Sequence, residues 1–199
     1  MALKIDLEKT FDHLEWSFIR EVLVLFNFLS NLIAIIMDCI SSTSVSVLFN
    51  GGKLPAFSPS CGICQRDPLS PYIFILYLGL LIRDKTANNT WKPVKASRSG
   101  PTFSHLFFAD DLMLFGQASL KNSEAIDEVL TAFCRLSGQR VSKEKSRVLF
   151  SKNTLEETRS DICGSLGILE TRKFDKYLGF LLKFSDCDSR DFNYIIHKV

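Results

Sequence analysis

Two adjacent carboxylates, Asp110 and Asp111, stand between the apolar runs Phe107-Phe108-Ala109 and Leu112-Met113-Leu114-Phe115. Like charges side by side against hydrophobic walls cost both desolvation and mutual repulsion, a penalty that a bound divalent cation removes. The flanks alternate, with Phe103, His105 and Phe107 on one side and Ser104, Leu106 and Phe108 on the other. A period of two on both sides of a short polar interruption predicts a β-hairpin that carries Asp110 and Asp111 at its tip.

Composition bounds what surrounds that hairpin. At 199 residues, 46% hydrophobic and 23% charged, the chain holds enough apolar matter for one globular core, with an incomplete second subdomain as the upper bound. A formal charge of +2 leaves nucleic-acid contact to local basic patches, since no global positive field exists. The longest apolar run, residues 73–82, is too short to cross a bilayer, and no signal-peptide pattern opens the chain. The expectation is a soluble, intracellular protein without a membrane partner. Six cysteines without a small-scaffold spacing are expected as reduced thiols. Cys61-x-x-Cys64 has no second Cys or His pair at zinc-knuckle distance.

Residues 3–7 alternate as a strand, with Leu3, Ile5 and Leu7 on its apolar face and Lys4 and Asp6 on the other. Asp12 with Glu15 resembles a capping box ahead of Trp16, Ile19, Leu23 and Phe26, which predicts a helix over about 13–29. A hairpin is expected over 44–57 around Asn50-Gly51-Gly52, weakened by Pro55. A buried helix, apolar almost all round, is expected over 69–84, behind Pro68. An amphipathic helix follows through Ile126, Val129, Leu130, Phe133 and Leu136, stopped by Gly138. A short strand over 147–151, a helix over 155–166 and a strand over 177–182 complete the order, and residues 88–101 read as a linker. The fold class is α+β, an antiparallel sheet backed by helices. Asp6 and Asp110-Asp111 could meet at one sheet edge, where three carboxylates suit two magnesium ions and phosphoryl transfer.

Lys4-Ile5-Asp6-Leu7-Glu8-Lys9-Thr10-Phe11-Asp12, Gln65-Arg66-Asp67-Pro68-Leu69-Ser70-Pro71, Phe108-Ala109-Asp110-Asp111, Val141-Ser142-Lys143-Glu144-Lys145-Ser146 and Tyr177-Leu178-Gly179 occur in this order along nearly the whole chain. Together they resemble the successive palm motifs of reverse transcriptases, in the non-LTR, LINE-type retrotransposon branch widespread in plants. The resemblance implies a polymerase palm over residues 1–183, with 184–199 opening the next connection or thumb region, and with fingers, thumb and endonuclease domains missing. It implies that Asp6 and Asp110 hold two Mg2+ ions, or Mn2+, with Asp111 in support. Phe11 would crowd the sugar 2′-position, Gln65 and Arg66 would lie at the template strand and incoming base, and Tyr177 and Gly179 would support the primer end. Lys145 would donate a proton near the leaving pyrophosphate. The implied partners are an RNA template, a DNA primer and deoxynucleoside triphosphates.

The departures point elsewhere. Where the family reads Arg-Gly-Ile-Arg-Gln-Gly-Asp-Pro, this chain has Cys61-Gly62-Ile63-Cys64-Gln65-Arg66-Asp67-Pro68. Thiols cannot supply the donor fork of the two arginines. Arg66 adds a Cβ and a long cation where glycine allows close backbone approach. Two readings therefore stand. One is an RNA-directed DNA polymerase; the other is an inactive relic that binds nucleic acid weakly through Lys143, Lys145, Arg147 and Lys152.

Overall fold

The computed structural model describes residues 1–8, 12–63, 70–95, 97–108 and 111–174, with the side chains of residues 70, 71, 73 and 74 left aside. Its centre is a five-stranded sheet. β1 (Ala2–Ile5) lies between β7 (Asp111–Phe115) and β8 (Arg147–Leu149), with β6 (His105–Phe108) outside β7 and β9 (Leu169–Glu170) outside β8. All pairings are antiparallel except that of β8 with β9.

One face of this sheet carries the main core, and the other a smaller cluster of Ala2, Met113 and Phe174. Leu3, Ile5, Leu112, Leu114 and Val148 are fully buried and share a core with helices α1 (Trp16–Leu25), α3 (Ser70–Ala87), α4 (Leu120–Ser137) and α5 (Glu156–Leu166). Phe18 of α1 joins them, its ring edge-on to Tyr77 of α3 and Phe133 of α4 at centroid distances of 5.2 and 6.2 Å. Successive strand residues point to opposite faces, so burial of Leu3, Ile5 and Leu7 turns Lys4 and Asp6 to the other face, where both are half-exposed. The expected α+β sheet backed by helices is what the chain forms. Among the described residues no helix is long and apolar enough to cross a membrane.

Local signals are obeyed where nothing distant competes. Asn50 (φ 47°) and Gly51 (φ 79°) form the two-residue turn between β2 (Leu48–Phe49) and β3 (Gly52–Lys53), the geometry that Asn-Gly favours. Pairing resumes beyond Pro55, where Val45 and Phe57 exchange N–H···O bonds of 2.9 and 2.8 Å. The Ser119 hydroxyl caps α4 by accepting the Asn122 N–H at 3.3 Å, and Gly138 (φ 77°) ends it. Helix α3 covers the expected span, but it is not buried all round as expected: among its described side chains only Leu78 and Ile82 are buried, and Tyr72 is 69% exposed.

Elsewhere tertiary bonds override the pattern. The helix expected over 13–29 is shorter, α1 over Trp16–Leu25, because Asn27 is left-handed (φ 56°), and a separate helix, α2 (Ser30–Ser41), starts beyond the expected span. The break is a Schellman arrangement, in which the Phe28 N–H donates to Leu23 O at 3.1 Å and the Asn27 N–H to Val24 O at 2.9 Å. No capping box forms at Asp12 and Glu15: Glu15 is the N-cap without a side-chain cap bond, and its N–H donates instead to Ser137 O at 3.1 Å.

The stretch expected as a linker is a packed structural element. β4 (Val94–Lys95) pairs with β5 (Thr102–Phe103), which removes Phe103 from the central hairpin, and Trp91 is fully buried. Helix α2 and strand β9 were not foreseen. The strand expected over 177–182 lies outside the described residues.

Candidate active site

Strand β1 pairs with β7 through Ile5 and Leu112, so the next step of the same register sets Asp6 across from Asp111. Directly opposed residues have Cα atoms about 4.5–5.5 Å apart and face the same way. Ile5 and Leu112 face the helices, hence Asp6 and Asp111 lie on the opposite face, at the end of the sheet away from the buried cluster of Ala2, Met113 and Phe174. Asp111 also closes the β6–β7 hairpin opposite Phe108. The sequence places the acids at that hairpin's tip, and Asp111 is where it predicts; Asp110 lies outside the described residues.

The end of β1 is held from the other side by the segment after α4. Leu7 bridges to Val141, and the Glu8 N–H donates to Arg140 O at 2.9 Å. The Ser142 N–H donates to Asp6 O at 2.9 Å, while the Asp6 N–H donates to the Ser146 hydroxyl at 3.1 Å. Lys145 stands exposed in the turn between those two serines. The Arg147 guanidinium donates to the carbonyls on either side of it, those of Glu144 and Ser146. Asp6, Asp111 and Lys145, far apart in sequence, thus belong to neighbouring segments at one sheet end.

A third segment approaches from the α1 side. The Gly62 N–H donates to Leu14 O at 2.8 Å, the Trp16 indole N–H donates to Gly62 O at 2.7 Å, and the Cys61 thiol lies 3.5 Å from Asp12 O. These bonds border a cavity of about 510 Å³ lined by Asp12, Trp16, Cys39, Phe57, Cys61 and Ile63. Sequence reasoning took Trp16 only as part of an apolar stripe. The signal for its second role was its indole N–H, which needs an acceptor when the ring is packed. Ser146 was missed as a structural partner of Asp6 because a lone serine in a basic segment has no local signature. Phe11, Gln65, Arg66, Tyr177, Gly179 and Cys64 lie outside the described residues.

Neither Asp6 nor Asp111 forms an ion pair with a described residue. Among the described residues no group of three or more His, Cys, Asp and Glu side chains could hold a metal, so the described donor set is this one carboxylate pair. Half-exposed carboxylates fit a hard cation that keeps most of its waters. The four described cysteines, Cys39, Cys61, Cys134 and Cys163, are unpaired. Burial pushes the thiols of Cys134 and Cys163 above their ordinary range.

A family model described as reverse transcriptase (RNA-dependent DNA polymerase) matches residues 1–182. The chain belongs to the reverse transcriptase family. It is 26% identical over 183 residues to a retrovirus-related Pol polyprotein from a type-2 retrotransposable element of Drosophila melanogaster, covering 88% of this chain and 17% of that protein. It is 39% identical over 67 residues to an uncharacterized mitochondrial protein of Arabidopsis thaliana, covering 32% of this chain and 55% of that protein. Among solved structures it resembles telomerase from Candida albicans (TM-score 0.55, 16% identity, 78% of this chain and 27% of that one). Apo telomerase from Candida tropicalis is similar too (TM-score 0.53, 16% identity, 73% and 29%). At such identity these two structures speak for the fold, a palm-like sheet and helices. This reverse transcriptase chain spans only a part of the length of each of these relatives.

Proposed function

We propose that the chain is the palm segment of an RNA-directed DNA polymerase from a non-LTR, LINE-type retrotransposon, which extends a primer 3′-hydroxyl with deoxynucleoside triphosphates on an RNA template. The observation that carries this is the register of β1 and β7, which sets Asp6 opposite Asp111 at one end of the sheet. Asp6, Asp110 and Asp111 would hold Mg2+. Magnesium held there supplies Lewis-acid polarisation of the attacking and leaving oxygens of an in-line phosphoryl transfer. The chain's own part is to fix those carboxylates on adjacent strands and to hold the Lys145 turn beside them as a source of a proton for the leaving pyrophosphate. Phe11 selects deoxyribose, Gln65 and Arg66 contact the template and incoming base, and Tyr177 and Gly179 support the primer end. Fingers, thumb and endonuclease domains belong to the parent element.

A second reading, a palm without catalysis, is favoured by one observation. Cys61, at an arginine position of the family, has its thiol against Asp12 O and offers no cation to a phosphate. Magnesium-dependent primer extension on an RNA template separates the two. Extension by the unmodified chain, lowered at least about 10³-fold by Asp6→Asn or Asp111→Asn, supports the polymerase. Extension that appears only with Cys61→Arg, Cys64→Arg and Arg66→Gly together supports a decayed copy, and silence in every form argues against catalysis by this chain alone.

A further inference from the structure

We propose that Ser146 is a positioning residue that ties the Asp6 strand to the Lys145 turn, so that the carboxylate and the lysine are set as one unit. This rests on the reading of Asp6 as a metal-holding carboxylate. The Ser146 hydroxyl accepts the Asp6 N–H at 3.1 Å and donates to Ser142 O at 2.7 Å, while the Ser142 N–H returns to Asp6 O at 2.9 Å. The Ser146 N–H closes the turn on the same Ser142 carbonyl at 2.9 Å. Ser142 makes these bonds through its main chain. Ser146 uses its side chain, at 0% exposure, where no water can replace it.

The geometry is that of a clasp. Both polar groups of the Asp6 backbone are held by residues that bracket Lys145, and Arg147 holds the carbonyls of the lysine's two neighbours. Any shift of the turn must therefore pull on Asp6. An alanine at 146 would release the Asp6 N–H and leave the Ser142 carbonyl with one donor fewer, without touching either functional side chain.

The test is Mn2+ titration by electron paramagnetic resonance, with amide hydrogen exchange, on the full chain and its Ser146→Ala, Ser146→Thr and Asp6→Asn variants. The expected result is Mn2+ binding lost in Asp6→Asn, weakened about three- to tenfold in Ser146→Ala and restored in Ser146→Thr, with faster exchange at both Asp6 and Lys145 in the alanine variant. Unchanged Mn2+ affinity in Ser146→Ala would overturn the proposal. Should that variant not fold, the same comparison is read on Ser146→Cys, which keeps the volume and weakens the hydrogen bond. Wild-type Mn2+ binding indifferent to Asp6→Asn would remove the metal reading alone. The clasp is then judged by exchange: acceleration at both amides upholds it, and acceleration at one only overturns it.

Discussion

The indole N–H of Trp91 donates to the carbonyl of Phe115 at 2.8 Å, pinning the end of β7 farthest from Asp111. Asn122 on α4 reinforces the joint: its carboxamide accepts the Lys92 N–H at 2.8 Å and donates to Lys92 O and Gln117 O at 3.0 and 2.9 Å. The strand that carries Asp111 is therefore anchored by a segment that looks like a linker. Replacing Trp91 by Phe should cost about 1–3 kcal/mol, since the Phe115 carbonyl loses its donor. Trp91→Ala should cost about 3–5 kcal/mol through the cavity it leaves. Urea unfolding monitored by circular dichroism measures both.

Gly138 ends α4 at φ 77°, and a Cβ there would meet the His13 carbonyl oxygen at 2.5 Å. A left-handed non-glycine residue costs about 1–2 kcal/mol, and the clash with backbone adds to it. Gly138→Ala should accordingly destabilise more than the same change at Gly51 (φ 79°), whose Cβ would meet nothing within 4 Å. Melting temperatures of the two variants check the order.

His105 is partly buried, stacked on Phe107 at a centroid distance of 4.4 Å, with its Nδ1 2.9 Å from the Ser104 hydroxyl. Burial pulls its pKa below the ordinary 6.5. The unfolded chain then binds this proton at a higher pH than the folded one, so stability falls as pH drops through 6.5 toward the folded value and levels off below it. His105→Gln should remove that part of the slope. Melting curves across this pH range, compared with those of the parent chain, measure the difference.

Leu29, the N-cap of α2, and Ile35 on that helix are 71% and 59% exposed, and Leu48 and Phe49 of the β2–β3 hairpin are 77% and 65% exposed. Apolar surface of this kind promotes association. The isolated chain should form concentration-dependent oligomers in sedimentation velocity. Leu29→Glu with Ile35→Glu should reduce them while leaving the melting temperature within about 1 °C, because surface changes rarely move stability far.

Features that need only near neighbours are plain in the order of residues. The alternation of Leu3, Ile5 and Leu7, the Asn50-Gly51 turn, and the Gly138 stop after an apolar stripe each follow from backbone geometry within a few residues. So does the turning of Asp6 away from the core. The break at Asn27 was not legible, because asparagine tolerates but does not require a left-handed backbone. Nor was the loss of the capping box, since Glu15 is bonded to Ser137, more than a hundred residues on.

The motifs identify the family without any coordinates, because five of them follow one another in a fixed order along nearly the whole chain. Tertiary structure alone decided that Asp6 faces Asp111, that the Lys145 turn is clasped to the same strand by Ser146, 140 residues from Asp6, and that Trp91 anchors β7. Strand register and long-range hydrogen bonds arise only when the whole apolar core closes, and no local window of residues contains both partners.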